Sequence, residues 1–312
     1  MTRSSALVIP ILAAFFVGSL TAVQSRANGS LALDLDSGIH AAFISFTVGL
    51  ILLTIVVVSM RRMREAVMRV GYAYLARELP WWQMLGGLFG ALFVLSQSLS
   101  VPVIGVALFA VALVSGQSAA SLIVDRLGLG PHGKQAITAP RALSAILGVS
   151  AVLVAVSGRL GDSNLSIPLV LLCFIAGIGV AIQQGINGNV SRVSREPIVA
   201  AWVNFLLGTA ILFVGFILSL VISGERAAPL PAGPWWLYLG GVVGVTFIAT
   251  AAWVVGKVGV LRLSVLAIAG QLFGSLLLDW WITDYVDGPL MAGMGIAFLA
   301  VLVSGIRRRS TS

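Results

Sequence analysis

The chain has 312 residues and carries 19 Lys and Arg against 11 Asp and Glu, a net charge of +8, yet only 10% of it is charged while 59% is hydrophobic. Soluble domains carry about 25% charged residues, and a chain this apolar would expose surface that water does not tolerate, so the composition describes an all-α polytopic membrane protein with the lipid bilayer as its solvent. A single cysteine, Cys173, excludes an internal disulfide framework and a cysteine zinc site, and two histidines leave little for an imidazole metal site, so no cofactor or metal is expected.

A membrane helix needs about 20 mostly apolar residues to cross a hydrocarbon core about 30 Å thick. Ten stretches qualify, near 7–29, 39–60, 81–99, 101–124, 140–158, 166–188, 197–222, 235–255, 258–279 and 289–306, separated by short segments rich in Gly, Pro, Asp or Arg. The first follows Arg3 as a secretory signal would, but no small-residue cleavage site leads into a soluble domain, and it is read as helix one. Lys and Arg are retained on the cytoplasmic side of short loops. With the N-terminus cytoplasmic, that side receives 16 of the 19 basic residues, including the run Arg61, Arg62, Arg64, Arg69 and Arg77 and the terminal Arg307 to Arg309. Only Arg26, Arg159 and Arg226 fall outside, where Asp34, Asp36, Asp162, Glu225, Asp284 and Asp287 also lie. Both termini are therefore expected in the cytoplasm. Nucleic-acid binding, the rival use of a basic excess, needs a basic face on a soluble domain, and none is present, so no nucleic-acid partner is expected.

The chain repeats itself. Gly18, Gln24, Asn28 and Gly29 return 159 residues later as Gly177, Gln183, Asn187 and Gly188, and the same offset pairs Ala41, Ala42, Phe43, Ser45, Phe46 and Gly49 with Ala200, Ala201, Trp202, Asn204, Phe205 and Gly208. At an offset of 154, Pro80-Trp81-Trp82 with Gly86, Gly87 and Gly90 returns as Pro234-Trp235-Trp236 with Gly240, Gly241 and Gly244. Gly105 returns as Gly259, and Gly116, Gln117, Ser121 and Asp125 as Gly270, Gln271, Ser275 and Asp279. The repeat divides the chain into a five-helix unit over 1–160 and a second over 161–312. An odd number of helices per unit makes the second enter the membrane from the opposite side. Inverted repeats of this kind are the architecture of many secondary transporters, which rock two similar halves about a site near the bilayer midplane.

The glycine-led helix with Gln and Asn-Gly, the Ala-Ala-(aromatic)-x-(Ser/Asn)-Phe-x-x-Gly stretch and the Gly-Gln-x-x-x-Ser-x-x-x-Asp helix end resemble the YdcZ family of the drug/metabolite transporter superfamily, in a form with two fused repeats. The resemblance covers nearly the whole chain. It implies five-helix units of opposite orientation and a transporter of the bacterial inner membrane. The chain also looks distantly like the small multidrug resistance proteins, but it lacks their glutamate embedded in the first helix; Gln24 or Gln183 is the nearest polar residue.

Polar groups within hydrocarbon are costly unless paired or facing a wet cavity, which makes them the first candidates for a solute path. Gln24 and Asn28 share a helix face, as do Gln183 and Asn187. An amide both donates and accepts hydrogen bonds, which suits a polar or zwitterionic solute; it serves equally as a tie between helices. Ser45 and Asn204, with Phe43 and Trp202 beside them, are candidates for the same cavity, although aromatics in a bundle also serve packing. Gln117, Ser121 and Asp125 are spaced four apart, as are Gln271, Ser275 and Asp279. Asp125 and Asp279 thus end two polar stripes on opposite membrane faces, as gate elements or as interfacial anchors. The close-set glycines favour helix packing and the paired tryptophans an interfacial belt.

Gly128 to Lys134 imitates a phosphate-binding loop, but Gln135 stands where Ser or Thr would hold magnesium, Pro131 interrupts the cradle and no strand precedes it. His40 and His132 fall on opposite sides of the membrane, so no Ser-His-Asp set forms, and the chain is not read as an enzyme. The expected protein is an inner-membrane secondary transporter, a monomer or homodimer, that moves a small polar or amphipathic metabolite. The alternatives are a lipid flippase or scramblase, and a non-transporting membrane partner protein.

Overall fold

The computed structural model of the protein describes residues 5–130, 133–134, 137–158, 165–224, 226–258, 260–283 and 287–304. These residues form helices and no strand. The first half holds α1 (Ser5–Asp34), α2 (Gly38–Ser59), α3 (Arg61–Leu75), α4 (Gly86–Ile104), α5 (Val106–Leu127) and α6 (Ala139–Ser157). The second holds α7 (Ile167–Ser194), α8 (Pro197–Ser223), α9 (Leu239–Val258), α10 (Val260–Thr283) and α11 (Gly288–Ser304). Local chemistry sets several boundaries. Ser37 caps α2 by accepting a hydrogen bond from the His40 amide at 3.3 Å. Prolines at the first turns of α6, α7 and α8 start those helices where a missing N–H costs nothing. Gly105, at φ +81°, breaks α4 from α5 in a conformation that only glycine adopts readily.

Among the described residues, seven helical segments are long and apolar enough to cross a membrane: Val8–Asp34, Gly38–Ser59, Trp81–Ile104, Val106–Val124, Ile167–Ser194, Pro197–Ser223 and Val265–Ile282. Three more apolar helices are shorter, Ala142–Ser157, Trp235–Thr250 and Gly288–Val303. Large apolar side chains face outward along them, Leu153, Leu171 and Ile222 among them, a surface suited to lipid rather than water.

The arginine-rich segment after α2 is a helix rather than the connecting loop that its charge suggests. Met63, Ala66, Val70 and Ala73 of α3 fall at spacings of three and four and are buried against α7 and α8, while Arg61 and Arg64 are exposed. The corresponding connection of the second half, between α8 and α9, contains Pro229, Pro231 and Pro234 and, among its described residues, forms no α-helix but only a single 3-10 turn at Trp235–Tyr238.

The helices of the two halves interleave. α1 packs along α10 and α7 along α5; α1 meets α9 and α7 meets α4; α2 faces α8 and α6 faces α11. Glycine permits the closest of these approaches, because a methyl group on Gly18 would overlap the Ala267 carbonyl, and one on the equivalent Gly177 would overlap the Leu113 carbonyl. The largest apolar core is centred on α5, where Ala107, Leu108, Phe109, Ala110 and Val111 are wholly buried.

Candidate functional site

Between the halves lies a cavity of about 440 Å³. Its middle is a belt of residues that match in pairs across the repeat. Gln24 on α1 faces in with Gln183 on α7, and Gln117 on α5 with Gln271 on α10. Phe46 on α2 and Phe205 on α8, themselves equivalents, stack with ring centroids 4.7 Å apart and planes 29° from parallel. Phe93 on α4 and Phe247 on α9 form another such pair. Gly90 of α4 keeps the belt open, since a Cβ there would lie 2.6 Å from Gln183 Nε2 and 2.7 Å from Asn204 Oδ1.

The amides differ in how they are satisfied. Gln183 Nε2 donates to the Gly86 carbonyl at 3.2 Å, and Gln117 Nε2 donates to Gln184 Oε1 at 3.2 Å. Gln24, 5% exposed, and Asn204, 7% exposed, make no hydrogen bond to a described residue and turn their amides to the cavity. None of the described lining residues is Asp, Glu, Lys, Arg or His.

Beyond the belt the symmetry breaks. Gln184, Asn187 and Ser191 on α7 and Pro197, Ala201 and Asn204 on α8 extend the cavity toward the α7–α8 turn. Their equivalents on α1 and α2 do not line it. There Asn28 Nδ2 donates to Gln97 Oε1 at 2.7 Å, and Gln97 Nε2 donates to Ser25 Oγ at 2.9 Å, all three residues being buried. This chain of bonds joins α1 to α4, with Gly29 against the Val101 side chain. Among the described residues the equivalent helices α7 and α9 form no such extended contact, and the cavity lies between them. Gln97 has no amide counterpart, because Ala251 stands at its repeat position. At the mouth, α3 is tied to the α7–α8 turn by an Arg62–Glu196 ion pair and by two hydrogen bonds from Arg69 to the Ser194 carbonyl, at 3.0 and 2.6 Å.

Of the residues singled out from the sequence, Gln24, Gln117, Gln183, Asn187, Asn204 and Gln271 come together at the cavity. Others do not reach it. Asn28 is held in the α1–α4 contact, and Ser45 is buried beneath Gly240. Phe43 stacks on Phe216 at 5.5 Å, and Trp202 Nε1 donates to Thr54 Oγ1 at 3.0 Å. The Asp279 carboxylate accepts from the amides of Val106 and Ala107, at 3.0 and 2.7 Å, and so caps the start of α5. The Asp125 side chain lies outside the described residues, as do Pro131, His132 and Gln135 of the glycine-rich segment.

Sequence reasoning missed Phe93, Phe247, Gln184 and Gln97. The two phenylalanines stand at the same 154-residue offset as the glycines beside them, so the repeat contained their signal. Gln97 was legible only as a polar residue in an apolar helix, and its lack of a duplicate hid it.

The family described as "Putative inner membrane exporter, YdcZ", of the drug/metabolite transporter superfamily, matches the chain twice, over residues 9–154 and 168–307. The chain belongs to that family. The two matched regions of this YdcZ family protein agree with a two-repeat form, and the description is that of a membrane transporter rather than an enzyme. No curated protein matches the chain. A solved crystal structure resembles it over 97% of this chain and 96% of the other, at 20% identity and a TM-score of 0.53, a likeness of fold alone.

Proposed function

We propose that this YdcZ family protein is a secondary transporter that moves a small polar or amphipathic solute across the inner membrane by alternating access. Residues 1–160 and 161–312 act as inverted units of five membrane-crossing helices, and the belt between them holds the solute. One observation carries the reading: the belt is symmetric, but the routes leading from it are not. The α1–α4 route is shut by packing and amide bonds, whereas the equivalent α7–α9 route is open. Equivalent elements in two arrangements are what a rocking transporter requires at one stage of its cycle, and exchanging the arrangements opens the other side.

With both termini cytoplasmic, the α7–α8 turn faces the cytoplasm and the conformation is inward-open. An exporter loads its solute from that side, which fits the family description. The α3 strap then lies at the cytoplasmic mouth.

Cysteine pairs test the exchange in a Cys173→Ala background. A Cβ on Gly29 would lie 3.1 Å from Val101 Cβ, close to the span that a disulfide bridges. Gly29→Cys with Val101→Cys is expected to cross-link in membranes and hold the α7–α9 route open. The repeat-equivalent pair, Gly188→Cys with Val255→Cys, is expected to cross-link only when that route closes, and then to make a thiol placed at Ser45 reactive to a membrane-impermeant reagent. If the second pair never cross-links while the first does so fully, the halves do not alternate and the proposal fails.

A further inference from the structure

We infer that the solute is an uncharged amphiphile, with a flat apolar body such as an aromatic ring and a neutral polar group that both donates and accepts hydrogen bonds. The inference rests on the belt being the solute site and adds the chemistry of what it takes.

Charge is the first discriminator. A charged solute entering the belt gives up water, and it recovers that loss only against an opposite charge or a full set of oriented donors or acceptors. The described lining offers no ionisable side chain. A zwitterion fares no better, because no described lining residue offers a counter-charge to either of its ends. The sequence alone left a zwitterion open; the lining favours a neutral molecule.

The amides set the polar group. Gln24 is 95% buried by its 5% exposure, has no hydrogen bond to a described residue and turns its side chain into the cavity. Asn204 is in nearly the same condition. Each presents a carbonyl acceptor and an NH₂ donor within reach of one small volume, so a ligand that only accepts or only donates leaves half of each amide unsatisfied. A carboxamide or comparable neutral group satisfies both. Water does so while the cavity is open, and the solute must replace it in kind when the route closes.

The aromatic pairs set the body. Phe93 and Phe247, with the stacked Phe46 and Phe205, contribute ring faces and edges from both halves, and rings pair favourably in offset or edge-to-face geometry. The cavity of about 440 Å³ falls in the range typical of small-molecule sites, a size that suits a compact solute better than a lipid with full acyl chains.

A matched series on one ring tests this: indole-3-acetamide, indole-3-acetate, tryptamine and tryptophan, neutral, anionic, cationic and zwitterionic at pH 7, titrated calorimetrically into the purified full-length protein. Indole-3-acetamide is expected to bind saturably, and each of the other three at least ten times more weakly. Gln24→Leu and Asn204→Leu are expected to weaken the amide by about 2- to 10-fold each, the effect of one lost hydrogen bond, with melting temperatures close to that of the parent. Equal or tighter binding of any charged member would overturn the exclusion of charge. Saturable binding of none of the four by a cooperatively melting protein would overturn the aromatic amphiphile, and unchanged affinity in both Leu variants would overturn the role of the amides. Binding is read at equilibrium on one conformation, so failure of the cysteine pairs to exchange leaves this result standing, and the two proposals fail separately.

Discussion

At the scale of single residues, the same side chain serves opposite purposes in the two halves. Asn187 borders the open cavity, while Asn28, its equivalent, is wholly buried and spends its donor on Gln97. The difference traces to the partner, not to the asparagine. Gln97 bridges Asn28 and Ser25, whereas the second half has Ala251 and Gln184 at the corresponding positions. An amide between α1 and α4 therefore favours closure on that side without an equivalent on the other. Replacing Gln97 with Ala, the residue that the second half carries, leaves Asn28 and Ser25 without their partner. Gln97→Ala is expected to lower stability by about 1–3 kcal/mol, read as melting temperature, and to reduce the yield of the Gly29–Val101 disulfide. An undiminished yield would show that packing alone holds the contact.

At the scale of elements, two helices take roles that their sequence disguised. α3 carries enough arginine to read as a loop, yet its apolar residues form one stripe that packs on α7 and α8. Its arginines then reach Glu196 and the Ser194 carbonyl, so the helix braces the turn that frames the cavity mouth. Asp279, read from the sequence as a gate element or an interfacial anchor, lies in the last turns of α10 and caps α5, where the first backbone amides have no helical partner. Gly105 makes room for it, since a Cβ there would lie 2.9 Å from Asp279 Oδ2. Asp279→Ala is expected to lower stability by about 0.5–2 kcal/mol, the effect of losing a cap, while indole-3-acetamide affinity stays unchanged. A change in the balance of the two cysteine cross-links with no loss of melting temperature would instead support a gate.

At the scale of the whole molecule, orientation decides which side the cavity serves. The division of basic residues, 16 against 3, is the ground for expecting both termini in the cytoplasm under the retention of Lys and Arg. A cytoplasmic reporter fused after Arg309 is expected to be active, and a reporter inserted near Asp162 to appear outside. The reverse pattern would turn the open route outward and remove the match to an exporter loading from the cytoplasm.

Much of this molecule was determined by sequence alone, because a bilayer leaves few options. Apolar runs of about 20 residues must become helices, since unpaired backbone groups are not tolerated in hydrocarbon, and two similar runs of helices fix a repeated architecture. The same repeat located Gln24, Gln183, Gln117 and Gln271, all of which reach the cavity. Only the tertiary structure decided which duplicated residues line it. Asn28 and Asn187 are equivalent in sequence and become different when α1 closes on α4 and α7 stands off α9. Sequence periodicity encodes a residue's helix and face, which are properties of one element. Whether that face meets another helix or an open cavity depends on the conformation that the two halves adopt together, and a repeat that is symmetric in sequence is silent about which half is closed.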